Sequence, residues 1–271
     1  MLAGMAVVAA AVGGSVLALP LRHVPAGRGP AANASAAPRP FDPAAYAASV
    51  ADVDCTNAAD RHGAIKPIGP LLRRLATRYS SGGPTKEEFE TTDQFGARVA
   101  ADLTRAFGGT DRIVVVQPIG ESMTYDADRG QATVHTLQDY SGIGVATVPL
   151  SSNLTDTGHY IGTNAFGVSA TVTRQTFDQF ALRLFVDNRD GLFRTSLTLP
   201  MQADAARALK RDGVIVIVGT LAPPFLSVSR HHEDATIGDP SDVTYRRYDL
   251  TVRPACVIVA TGGQEVGRFH L

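Results

Sequence analysis

Residues 166–186 carry the pattern that most limits what this chain can fold into. Val168, Ala170 and Val172 alternate with Ser169, Thr171 and Thr173, and then Phe180, Leu182, Leu184 and Val186 alternate with Ala181, Arg183 and Phe185. A period of two buries one set of side chains and leaves the other in water, as in an antiparallel sheet with one covered face. Two strands are therefore expected here. Asp187, Asn188, Arg189, Asp190 and Gly191 supply a turn, and residues 192–199 form a third strand.

The same reasoning extends in both directions. Residues 113–118, IVVVQP, and 214–221, VIVIVGTL, are short β-branched apolar runs that read as buried strands, the second ended by Pro223 and Pro224. Residues 124–125 and 133–137 flank Asp126, Asp128 and Gly130, which turn a hairpin; the spacing of a calcium loop is incomplete. Residues 227–243 are polar and turn-rich. Residues 244–252 and 255–260 are expected as a closing pair, with Gly262 and Gly263 as a turn and a last strand over 266–271. Amphipathic helices are expected over 71–79, where Pro70 presets the first turn, and over 202–211, which Gly213 stops. The class is α+β, a mainly antiparallel sheet with a few packed amphipathic helices.

The clearest helix lies within residues 86–108. Thr91 and Gln94 have the spacing of a capping box. Phe95, Val99, Leu103 and Phe107 follow at nearly helical period, and Gly108 and Gly109 tolerate the left-handed conformation that ends a helix. Phe89 is expected to staple the approach to the cap, and Arg98, Asp102 and Arg105 to form a solvated face.

The amino terminus is of another kind. Residues 1–21 carry no charged side chain and are long enough for a signal peptide or a membrane anchor. Residues 22–43, rich in Pro, Ala and Gly, read as a disordered tether, and 44–271 as an α+β globular domain with two lobes. Arg22, Arg28 and Arg39 follow the apolar run, which by the positive-inside rule argues for a cytoplasmic domain. The expectation that reconciles this with a periplasmic location is that Met1 is an internal start and that the missing basic residues lie upstream. Formal charge is −1 and lysine occurs only at positions 66, 86 and 210, so no basic block tracks a nucleic acid.

Two cysteines, Cys55 and Cys256, allow one bridge in an oxidising compartment; the alternative is that Cys256, in an apolar run, is a buried thiol. His231 and His232, followed by Glu233 and Asp234, are the most metal-like cluster, although neighbouring side chains on an extended chain diverge and the setting reads as a mobile loop. Phosphate loops, dinucleotide fingerprints, zincin motifs and nucleophile elbows are absent from the sequence, and no cofactor is expected.

Residues 86–98 match K-x-x-F-E-T-x-x-x-F-x-x-R through Lys86, Phe89, Glu90, Thr91, Phe95 and Arg98, and residues 160–167 match Y-x-G-x-N-A-F-G through Tyr160, Gly162, Asn164, Ala165, Phe166 and Gly167. In these segments the chain resembles a group of signal-bearing bacterial envelope proteins with no assigned activity. The resemblance implies export and a β-rich domain, and no catalytic residue. The expectation is a non-catalytic exported or membrane-tethered protein that binds a partner or ligand in the cell envelope. Alternatives are an envelope hydrolase, its site drawing on His135, His159 or Ser141, and a single-span protein with a cytoplasmic domain.

Overall fold

The computed structural model describes residues 41–135, 138–139, 145–163, 166–185, 196–236 and 238–269. The apolar run 1–21, most of the tether, the turn at 187–191 and Ser141 lie outside them. Among the described residues no helix is long and apolar enough to cross a membrane.

The helices are α1 (Pro43–Val50), α2 (Ala58–Arg61), α3 (Gly69–Arg78), α4 (Thr92–Ala106) and α5 (Ala203–Asp212). The strands are β1 (Arg112–Pro118), β2 (Met123–Asp126), β3 (Gln131–His135), β4 (Gln138–Asp139), β5 (Val145–Thr163), β6 (Ser169–Phe185), β7 (Ser196–Pro200), β8 (Val214–Glu233), β9 (Ser241–Thr261) and β10 (Gln264–Arg268). The large sheet runs β1-β8-β9-β6-β5-β4, with β10 also on β9; a small sheet runs β2-β3-β7. The fold is α+β. All pairings are antiparallel except β6 with β9, which makes the large sheet mixed.

Four long strands replace what the sequence reads as short ones. β6 is one strand of 17 residues where two were expected, and β9 is one of 21 where a closing pair was expected. β8 runs on to Glu233 through Pro223 and Pro224. It does so because the register with β9 jumps from Leu221 to Leu226, so neither proline faces a ladder position that needs its missing N–H. β5, rich in Thr, Ser and Gly, shows no alternation, yet pairs with β6 along its whole length.

Even-numbered residues Phe180, Leu182, Leu184, Tyr248 and Leu250 are buried, and one apolar cluster extends from Tyr46 to Phe269. Tyr248 stacks on Phe180 at 5.2 Å, and its hydroxyl donates to the Ala76 carbonyl of α3 at 3.4 Å. Pro43, counted with the tether by composition, instead opens α1, where Asp42 accepts from the Ala44 and Ala45 amides. Tyr46 of that helix is fully buried, and its hydroxyl donates to the Val114 carbonyl at 3.2 Å and accepts from the Val114 N–H at 3.1 Å. Burial pushes this phenol up. β1 ends the sheet, so the hydroxyl occupies the side on which no strand pairs. Tyr46→Phe leaves both backbone groups without that partner; unfolding free energy should fall by about 1–3 kcal/mol and exchange of the Val114 amide should accelerate.

α4 has the expected capping box, Thr91 Oγ1 accepting from the Gln94 N–H and the Gln94 side chain from the Thr91 N–H. Val99, Leu103 and Phe107 are buried. Phe89 is not a staple: it is 92 % exposed. The approach is held by charge instead. Arg98 clamps Glu90 with bonds of 2.9 and 2.8 Å and also donates to the Thr85 carbonyl at 3.0 Å. The Arg98 guanidinium holds the Glu90 carboxyl down at about 2, against an ordinary value near about 4.3. A depressed folded-state value gives stability that is complete above the unfolded value and is lost as pH falls towards the folded one. Between about pH 4.5 and about 2, therefore, the melting temperature should fall with a component that Glu90→Gln lacks.

Candidate functional site: a cleft at the seam of the sheet

β1 and β5 are separated by three strands in the sheet order, and curvature brings them together. Gln117 of β1 donates to the Pro149 carbonyl of β5 at 2.6 Å. Along this seam lies a cleft of about 280 Å³, lined by β1, by residues 150, 151 and 153 of β5, and by residues 62–73 leading into α3. Pro67 and Pro70 stiffen that approach. Ile65, Ile68, Leu72, Val115 and Leu150 make the walls apolar. His62, Lys66 and Arg73 supply the only ionisable side chains of the lining, all of them nitrogen bases. Among the described residues none of the three is in an ion pair. The His62 Nδ1 lies 2.6 Å from the Ala59 carbonyl oxygen.

None of these residues stands out in the sequence. Lys66 is one of three lysines and is followed by Pro67 and Pro70, but the opposite wall of the cleft begins more than forty residues later. Only closure of the sheet brings the two together.

The outer halves of β8, β9, β6 and β5 carry a second set of side chains. His231 stacks on Tyr245 at 6.3 Å and Tyr245 on Phe177 at 5.7 Å, a ladder of rings across three strands. Next to it a cavity of about 460 Å³ is lined by Gln179, Ser229, Glu233 and Arg247 among others. Arg247 donates to Asp249 at 2.8 Å, and His231 Nε2 lies 3.5 Å from Glu233.

The two histidines thus sit on a strand, not in a mobile loop, and its pleat sends them to opposite faces. His232 Nδ1 meets Thr244 Oγ1 at 3.0 Å, and its Nε2 lies 3.1 Å from Asp234 and 3.6 Å from Asp242. The Tyr160 hydroxyl donates to Asp242 at 3.0 Å, a bond that raises the phenol's pKa. Among the described residues no group of three or more His, Cys, Asp or Glu side chains is placed to hold a metal ion. His135 and His159 are not brought together either: His135 faces Thr124 in the small sheet at 3.4 Å, and His159 faces Thr173 in the large sheet at 3.4 Å.

Cys55 and Cys256 form a disulfide with Cα atoms 5.9 Å apart, which joins the segment before α2 to β9. Neither cysteine is a free thiol. No protein-family model, no curated protein and no solved structure matches this chain.

Proposed function

We propose that this chain is a non-catalytic binding protein of the bacterial cell envelope, exported or held at the membrane by residues 1–21, and that the seam cleft is where it binds. The observation that carries the reading is the cleft itself, a concave site with apolar walls and a few convergent polar groups on a rigid sheet and helix. The disulfide supports an oxidising compartment, because such bridges persist outside the reducing cytosol. The resemblance of residues 86–98 and 160–167 to signal-bearing envelope proteins points the same way.

Two measurements test the two halves of this reading. Alkaline phosphatase fused after residue 45 should be active in cells, and an inactive, stably produced fusion rejects export. Ser151→Trp places a large side chain at the exposed lip of the cleft without removing a buried one. If the cleft is the binding site, this substitution abolishes ligand binding while the melting temperature stays unchanged.

A further inference from the structure

We infer that the seam cleft takes a small amphiphilic anion: an alkyl chain ending in a carboxylate or phosphate. This rests on the reading of the cleft as a binding site and names its ligand. The argument is one of charge and polarity together. His62, Lys66 and Arg73 converge on one cavity whose lining contains no carboxylate. Among the described residues some basic side chains elsewhere are matched by carboxylates, such as Arg78 with Asp102 at 2.8 Å and Arg268 with Glu265 at 2.7 Å, and others such as Arg74 and Arg230 are in no ion pair; the cleft differs in that its nitrogen bases share one concave lining. Lys66 and Arg73 have no such counter-charge, so an anion entering the cleft meets attraction that no internal pairing has to surrender.

The walls decide what the anion is attached to. Ile65, Val116 and Leu150 are only partly buried and turn apolar surface to the cleft, backed by Ile68, Leu72, Val114 and Val115, which are nearly or fully buried behind it. Such walls favour an apolar chain, because each methylene that leaves water contributes about 0.8 kcal/mol in general transfer terms. A neutral hydrocarbon satisfies the walls and ignores the cations. A free inorganic anion does the reverse. An amphiphile with a single negative head uses both, with the head beside Lys66 and Arg73 and the chain along the seam.

The test uses the full chain in a non-ionic, sugar-free polyether detergent, with binding followed by native mass spectrometry. Decanoate, decyl phosphate, decanol, decyltrimethylammonium and inorganic phosphate are titrated separately. Decanoate or decyl phosphate should bind at least about tenfold more tightly than decanol or the cationic amphiphile, and the preferred member of that pair distinguishes a fatty-acid head from a phospholipid-like one. Lys66→Glu with Arg73→Glu, both at exposed positions, should remove this preference and leave decanol binding as it was. Ser151→Trp should abolish binding of every chain.

Equal binding of neutral, cationic and anionic chains overturns the inference while leaving the cleft as the binding site, provided Ser151→Trp blocks it. Inorganic phosphate binding as tightly as decyl phosphate also overturns it, because the walls then play no part. Anion affinity that survives the charge reversal overturns it in the same way. Failure of every probe to bind overturns both the inference and the proposed site.

Discussion

Replacing Cys55 and Cys256 together by alanine should lower the unfolding free energy by about 4 to 5 kcal/mol. The bridge spans 201 residues of sequence, so its loss releases a long constraint on the unfolded chain. It also removes one tie from a segment that is otherwise held by the buried Val53 and by two arginines. Arg268 donates to the Cys55 carbonyl at 2.9 Å, and Arg112 donates to the Val53 carbonyl. Alanine is the right replacement because Cys256 is nearly fully buried and a serine hydroxyl there would need a partner. Urea unfolding with and without reductant measures the effect. A midpoint for the unsubstituted protein that does not move on reduction would falsify it.

Gly108→Ala should destabilise by roughly 3 kcal/mol or more, and the neighbouring Gly109→Ala by only about 1–2 kcal/mol. Both glycines have left-handed backbone, with φ of 80° and 94°, so both substitutions carry the cost of placing an L-residue there. They differ in what a Cβ would meet. At Gly108 it would fall 2.2 Å from the Pro43 carbonyl oxygen and 3.1 Å from the Ala47 Cβ, whereas at Gly109 nothing lies within 4 Å. The end of α4 therefore touches α1 so closely that only a residue without a side chain fits. The alanine must push apart two helices whose aromatic contact, Tyr46 with Phe107 at 5.7 Å, is buried. Equal losses at the two positions, measured by denaturant unfolding, would show that backbone conformation alone sets the requirement for glycine at Gly108.

Features built by neighbours in sequence were legible without the structure. The capping box of Thr91 and Gln94 is satisfied within one turn, and the buried stripe of Val99, Leu103 and Phe107 follows from helical period. The hairpin of β2 and β3 is likewise local, with Asp126 accepting from the Asp128 and Arg129 amides in its turn. The end of α5 at Gly213 and the turn at Gly262 and Gly263 belong to the same class.

Strand continuity was not legible, because pairing partners and not composition decide it. Pro223 and Pro224 read as a stop, yet the register skip between Leu221 and Leu226 lets β8 pass over them. β5 lacks any apolar alternation because much of its outer half is exposed, which removes the demand that creates the pattern. Phe89 read as a staple from its position, whereas the bidentate bond from Arg98 to Glu90 holds the same approach and leaves the ring in solvent.

What the amino-acid sequence determined by itself was therefore the α+β class, the helices α3, α4 and α5, the capping box of α4 and the β2–β3 hairpin, all but the class governed by interactions over a few residues. Tertiary structure alone decided that Cys55 meets Cys256, that His231 and His232 lie on a long strand and not in a loop, and that β1 and β5 meet at a seam. The cleft there gathers His62, Lys66 and Arg73 on one side and Leu150 and Ser151 on the other. Curvature of a sheet is the sum of small twists over many strands, and no single stretch of sequence carries it.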